Sequence, residues 1–363
     1  MPAHVLFFPA GALYAAIALP LSVAAMLGAA PWAHGLTAPY GHAHEMLFGF
    51  ALAAVAGNQL GPLGRARLAI LFGTWIGARI AFVAWPQSAI AWMANAAFAG
   101  LLASQLLPRI LAPIRKLRNR ALPVAVMALC AAAGATHASV ALPRAAVLLL
   151  VLLMLFMGGR IIAPAAAGQM YRQGEPLSAR VQPRLEGLLV VLIAGAIVAV
   201  LLRRDALAGA SLIAASGVAA ARLARWRLWK LGNRPDMTCL AAGYGWLIAG
   251  GGATGVALWT GSRIATALHV ITVGAIGTLT INVMALTWAR LARRDPARQR
   301  LPVIATVAIA MSTAARVAAD FHPADRIAWL AAAAALWSAA YLLLVLSFVL
   351  VSRAASPSSP ARA

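Results

Sequence analysis

Two short segments concentrate most of the metal-binding chemistry available to this chain. In "PYGHAHEMLFGF", residues 39–50, His42, His44 and Glu45 stand directly against an apolar run, and in "TALHVITVGAIG", residues 266–277, His269 lies inside another. Imidazole is the commonest ligand for haem iron and for copper, and an ionisable side chain inside an apolar segment is expensive to place there without a use. Spacing limits what the pair can do. At about 100° per residue, His42 and His44 point to nearly opposite sides of a helix, so a regular turn cannot aim both at one metal. If His42 sits at or before the helix cap and His44 on the first turn, then His44, Leu47, Phe48, Ala51, Val55 and Asn58 share one face, apolar with a polar head. Glu45 then either caps the helix N-terminus, the cheaper arrangement, or hydrogen-bonds a ligand imidazole. On the second segment His269 shares a face with Thr266, Thr272, Val273, Ile276 and Thr280, and Thr266 or Thr272 is placed to orient the ring.

The elements that carry these residues follow from composition. Hydrophobic residues make up 63% of the 363, charged ones 10%, with only eight acids, against roughly 25% charged in a soluble domain. The expectation is an all-α integral membrane protein. Apolar runs bounded by Arg, Pro and Gly give twelve candidate spans, at about 9–29, 43–60, 67–85, 88–107, 121–138, 144–164, 185–202, 206–222, 237–259, 264–289, 302–319 and 326–351. They form one polytopic domain, 1–352, followed by a Ser/Pro/Ala-rich tail, 353–363, that reads as disordered. The net charge of +22 points to topology and anionic lipid rather than to nucleic acid. With the N-terminus cytoplasmic, 22 of the 30 basic residues fall on inside segments and five, Arg144, Arg203, Arg204, Arg263 and Arg326, on outside loops. That bias places both termini in the cytoplasm.

On this topology six of the seven histidines, His34, His42, His44, His137, His269 and His322, lie in one outer layer, leaving His4 on the other side. His269 is about 9 Å deep at 1.5 Å per residue. An outer-leaflet haem or metal site is the natural reading. Arg79 and Arg316 lie toward the outer ends of their spans; Arg316 either pairs with Asp320 one turn on or, like Arg79, meets haem propionates. Asn58, Asn95 and Asn282 read as bridges between helices, and Gly251 to Gly255 as a close-packing GxxxG pair, with room beside a planar cofactor as the alternative. Cys130 and Cys239, the only cysteines, match neither a disulfide framework nor the histidine layer. No phosphate-binding loop, dinucleotide fingerprint, covalent haem motif or hydrolase elbow occurs. The rival expectation is a secondary transporter of a metal or small solute whose histidines bind cargo, since many spans and glycine-rich helices suit that too.

The segments "GHAHEMLFGFALAAVAG", residues 41–57, and "ALHVITVGAIGTLTINVM", residues 267–284, resemble the two signature segments of the NnrS family, and "LFFPAGALYAAIALPL", "GGRIIAP" (158–164) and the last aromatic-rich span are similar to it as well. The resemblance covers most of the chain. It implies a haem- and copper-containing multispan protein of the bacterial inner membrane, associated with nitric oxide and with relief of nitrosative stress in denitrifying bacteria. It carries the family's histidines onto His42, His44 and His269; Glu45, Arg79 and Arg316 are read from their positions alone, as partners of a ligand imidazole or of haem propionates. Two departures bear on copper and on completeness. "AGNQLGPLGRARL" is shorter than the family's stretch after the second span, and "ALTWARLARRDP" lacks the histidine often found after the tenth.

Overall fold

A computed structural model of the protein describes residues 1–37, 40–111, 118–135 and 141–355. His137 and the tail residues 356–363 lie outside these; the final helix runs to Ala355, three residues into the segment expected to be tail.

Helical segments occupy the apolar stretches. In chain order they are α1 (His4–Met26), α2 (α-helical over Gly41–His44 and Leu52–Gln59, with a π-helical stretch Glu45–Ala51 between), α3 (Arg65–Ala84), α4 (Ala89–Leu111), α5 (Arg118–Gly134) and α6 (Ala141–Arg172). The second half comprises α7 (Pro183–Leu201), α8 (Asp205–Arg225), α9 (Pro235–Thr260), α10 (Ile264–Leu291, π-helical over Val270–Ala275), α11 (Arg300–Ala318) and α12 (Arg326–Ala355). Among the described residues nine helices are long and apolar enough to cross a membrane, and α2, α5 and α9 are not among them. Each falls short for a local reason: α2 is broken by its π-helix, the apolar part of α5 spans only Leu122–Gly134, and α9 carries the polar and glycine-rich stretch "GYGWLIAGGGATG".

Consecutive helices pack side by side, α12 returns against α1, and α2, α6 and α10 meet in the middle, each four helices from the next. The central position of α6 shows in its sequence, a near-continuous run of Leu, Val and Met from Val147 to Met157 with no polar face, as expected of a helix surrounded by other helices. The closure of α12 on α1 is chemical as well as steric. Pro20 has no N–H for the Ala16 carbonyl one turn back, and Ser338 Oγ donates to that oxygen at 2.7 Å while Trp337 Nε1 donates to Ala15 O at 3.0 Å. Asn282 donates to Thr306 Oγ1 at 2.7 Å and so ties α10 to α11.

The glycines of α9 serve packing. A Cβ on Gly255 would lie 2.8 Å from Gly209 O and 3.0 Å from Ile213 N, and one on Gly209 would lie 2.5 Å from Gly255 O, so α8 and α9 cross backbone to backbone. Gly255→Val therefore forces the two helices apart and should cost about 2 kcal/mol or more of stability, read as a lowered melting temperature in detergent. Gly251→Ala meets only the tip of Ser216, with Oγ at 2.6 Å, which can rotate away, and should be nearly silent.

Candidate functional site

At the end of the bundle where α2 and α10 begin, α1, α2, α6, α10, α11 and α12 enclose a cavity of about 510 Å³. His42 from α2, His269 from α10 and Arg316 from α11 line it, with Tyr40, Arg144 and Arg326 near its mouth and Leu47, Phe50, Val147 and Trp337 among its apolar walls. The volume is that of a small-molecule or cofactor site, which runs about 300–1,000 Å³.

The histidines are presented by unusual backbone. His44 and His269 each end an α-helical segment that passes directly into a π-helix, an arrangement rare enough that it clusters at functional sites. The π-turn changes which residues share a face. From α2 this cavity and an apolar one farther along the helix are lined by two adjacent rows in steps of four, His42, Met46, Phe50, Ala54 and Asn58 beside Ala43, Leu47, Ala51, Val55 and Gln59. A regular α-helix would carry a step of four round by about 40° each time, and the slower winding of the i→i+5 stretch takes up that drift. His42 therefore heads the cavity face.

His269 is oriented by its own helix: Nδ1 lies 2.7 Å from Ala265 O. As donor to that carbonyl, Nδ1 leaves Nε2 as the free lone pair, the state in which histidines bind metals. The His42 Nδ1 is buried and has no hydrogen-bond partner among the described residues. A buried ring nitrogen left so costs about 1–3 kcal/mol, and this one belongs to a residue that lines the cavity. Arg316 lies within electrostatic reach of both imidazoles. Its Nη1 donates to Asp320 Oδ2 at 2.9 Å, and Thr266 Oγ1 donates to the same oxygen at 2.7 Å, which anchors the guanidinium between α10 and α11.

With this geometry in place the comparison with known families is decisive: the model described as "NnrS protein" matches residues 2–353, nearly the whole chain. The chain belongs to the NnrS family. No curated protein and no solved structure matches it. Membership makes this NnrS chain a nitric-oxide-related membrane protein and leaves the division of labour among its histidines to the geometry.

Of the face expected from uniform helical winding, Leu47, Ala51, Val55 and Asn58 line the two cavities, but its head does not. His44 does not line the cavity. Its ring stacks on Phe82 with 3.8 Å between centroids, and Nδ1 lies 2.9 Å from Glu45 Oε1. Glu45 is no cap: it is fully buried, accepts from Arg79 Nη1 at 2.5 Å and is hydrogen-bonded by Tyr14. Arg79 also donates to Asn95, which is held by Ala91 O, so Arg79 faces this carboxylate and not the cavity. Trp75 Nε1 donates to Gly49 O at 2.9 Å, supplying a donor where the π-helix disturbs the α-helical ladder. A Cβ on Gly49 would lie 2.7 Å from Tyr14 Cε1 and 3.1 Å from Arg79 Nη1; only glycine lets the cluster close against α2. Thr266 serves Asp320 rather than the imidazole. His34 and His322 line no part of the cavity, and His4 packs on Phe8 and Trp288 at the opposite end. Arg144 and Arg326, counted from sequence as outer-loop topology charges, stand at the mouth; their signal was position alone, each just before an apolar run.

Asp320, beyond the end of α11, titrates in a way that can be tested. Burial by itself raises its pKa, but the hydrogen bond from Thr266 and the Arg316 guanidinium outweigh burial and hold the carboxyl below its usual range. A depressed carboxylate stabilises above the unfolded value of about 3.9 and loses that contribution as pH falls through the lower folded value. The Arg316 anchor should thus be intact throughout the neutral range. Asp320→Asn should reproduce at pH 7 the loosening that the wild type shows only in acid, measured as the pH dependence of cavity-ligand retention.

Proposed function

We propose that this protein holds a haem in the outer cavity and binds nitric oxide there, as part of a response that lessens nitrosative stress. The observation that carries the reading is the convergence of His42 and His269, from two central helices, with Arg316 in one cavity of about 510 Å³. The residues present fit the group: a pre-oriented imidazole, a second imidazole with a buried Nδ1 that no described residue bonds, apolar walls, and the guanidiniums of Arg316, Arg144 and Arg326, which would pair two propionates. His269 and His42 would hold the iron, and nitric oxide would need one of the two imidazoles to give way. When bound, haem supplies a redox-active iron with affinity for nitric oxide. The chain's own part is to fix the ligand tautomer through Ala265, to pair the carboxylates through Arg316, and to keep water away with Leu47, Phe50 and Trp337.

A separate copper centre fits less well. Among the described residues no three of His, Cys, Asp and Glu come together in a group that could hold a metal ion, and Cys130 and Cys239 are buried away from the cavity. No step is derived through copper.

The membrane setting is part of the same proposal. Twelve crossings, including the short α2, α5 and α9, put the ends of the chain on one side; the basic excess at that end marks it as cytoplasmic, so the cavity faces the periplasm of a bacterial inner membrane. Support comes from the alternation itself: the N-terminal ammonium meets Leu63 O beside the α2–α3 link, while at the other end Arg144 approaches Asp205 to 3.8 Å.

The test is the optical spectrum and iron content of purified protein. About one haem per chain is expected, with a Soret band that shifts when nitric oxide is added to the reduced sample. A colourless, iron-free preparation from haem-replete cells would refute the reading.

A further inference from the structure

The apolar cavity that α2 lines beyond Phe50 has a volume of about 100 Å³. Its walls are α2, α6 and α10, completed by single residues of α1, α5 and α9. The "GGRIIAP" segment, which the haem reading does not use, supplies Gly158, Ile161 and Ile162 to it. Among the described residues no charged side chain lines this space, and every residue that does is buried or half-buried. It is interior space and not a surface groove.

The lining decides what chemistry suits it. Its polar side chains are engaged by the protein: Gln59 Nε2 donates to Asn58 Oδ1 at 2.8 Å, and Thr280 Oγ1 donates to Ile276 O at 2.6 Å and meets Tyr341 OH at 2.7 Å. A buried water needs two to four polar partners, whereas an apolar cavity of about 150 Å³ takes xenon or benzene. An ion would enter against its full desolvation cost, and a neutral, weakly polar molecule would not. The volume is also well below the roughly 300 Å³ at which drug-sized ligands and cofactors begin to fit. What remains is a small neutral molecule of a few atoms.

Placement gives that capacity a use. Ile276 lines both this cavity and the outer one that holds His42 and His269. It is the first residue of the α-helical stretch that follows the π-turn of α10, and it is 4% exposed. On α2, Phe50 of the outer cavity is followed at once by Ala51 of the inner; on α6, Val147 is followed a turn later by Leu150. The two spaces are therefore stacked along the same three helices, with Ile276 spanning the wall between them. Phe50 is held in that wall by Trp337 and Tyr341, at 6.1 and 5.1 Å between ring centroids, which leaves the aliphatic Ile276 as the part that a rotamer change can open.

We propose that the inner cavity is a docking site for a small neutral apolar molecule, the class to which nitric oxide belongs, and that Ile276 is the partition between it and the outer cavity. Delivery to iron rests on the haem reading; docking itself does not. Xenon is the probe. The full-length protein in detergent would be titrated with dissolved xenon and followed by xenon NMR, and a saturable shift is expected. Ala54→Leu, which fills the cavity from α2, should weaken xenon binding at least about tenfold, while Val256→Leu, at an exposed position of α9, should leave it unchanged. Should Ala54→Leu fail to fold, Val283→Leu, which adds a methylene from α10, must weaken binding in its place. In haem-loaded protein, nitric oxide released by a light pulse should return in part through a slow phase that Ala54→Leu removes and Ile276→Ala speeds; a phase that neither variant alters overturns the link through Ile276. The absence of a xenon shift, as a cavity held by water or a lipid chain would give, or a shift that both filling variants leave intact, overturns the docking site. Xenon bound by a haem-free preparation and lost on filling upholds the docking site and counts against the haem reading alone.

Discussion

Replacing His269 by alanine should abolish the haem binding proposed for the cavity while leaving the helix bundle folded. His269 is half-buried only because it faces the cavity, and its one protein hydrogen bond is to Ala265 O on its own helix. Losing it leaves no partner stranded on another helix, so the stability of the apoprotein should change by less than about 1 kcal/mol. Substitution of residues that merely orient a ligand costs about 10- to 100-fold in metal affinity, and removal of the ligand itself should exceed that. His42→Ala should act in the same direction. His44→Ala is the informative contrast: His44 is buried, stacked on Phe82 and bonded to Glu45, so its loss should lower the melting temperature while the surviving folded protein keeps its Soret band. If His44→Ala abolishes the band and His42→Ala spares it, the assignment of roles made here is reversed.

The difference between these histidines shows where sequence reasoning ends. The apolar stretches were legible because lipid demands apolar surface along whole segments, and that signal survives averaging; α2, α5 and α9 sit near its limit because they are short, broken or glycine-rich. The meeting of His42 and His269 at one end of the bundle was legible too, since the alternation of spans brings the starts of α2 and α10 together. Which histidine faces α10 was not. Uniform winding at about 100° per residue puts His44 at the head of the face with Leu47, Ala51, Val55 and Asn58, and across the π-helix Glu45–Ala51 it is His42 that joins those residues at the cavities; no residue type in "EMLFGFA" announces i→i+5 bonding. The Glu45 cluster was hidden for a different reason. Tyr14, Glu45, Arg79 and Asn95 come from four helices and have no local spacing in common. A signal did exist in elimination: an acid within a span needs a base, and Arg79 was the basic residue well inside the following span, toward the same end as Glu45. The reading of Arg79 as a propionate partner passed over that nearer requirement.

That cluster supplies the largest stability effect expected in the molecule. Arg79→Met should destabilise the protein by about 3–5 kcal/mol, because it leaves the Glu45 carboxylate in the interior without its counter-charge. Both side chains are almost wholly buried, at 4% exposure for Arg79 and 0% for Glu45, so solvent cannot compensate. Glu45→Gln should cost a comparable amount, since Arg79 would then keep only Asn95 as a neutral acceptor. The double substitution is the decisive case. Replacing both charges removes the desolvation penalty together with the attraction, and a buried pair exchanged for neutral residues of similar size is often close to neutral. Glu45→Gln with Arg79→Met should therefore be more stable than Arg79→Met alone, giving a strongly non-additive cycle in denaturant or thermal unfolding. Strict additivity would mean that the two groups do not interact across α2 and α3. The haem band is a second readout of the same cycle. The cluster braces α2 through the π-helix that follows His44, and His42 lies on the turn before it; a brace that positions His42 should let haem affinity fall in the single variants and recover in the double, whereas one that only holds the fold should move melting temperature and leave the affinity of the folded fraction unchanged.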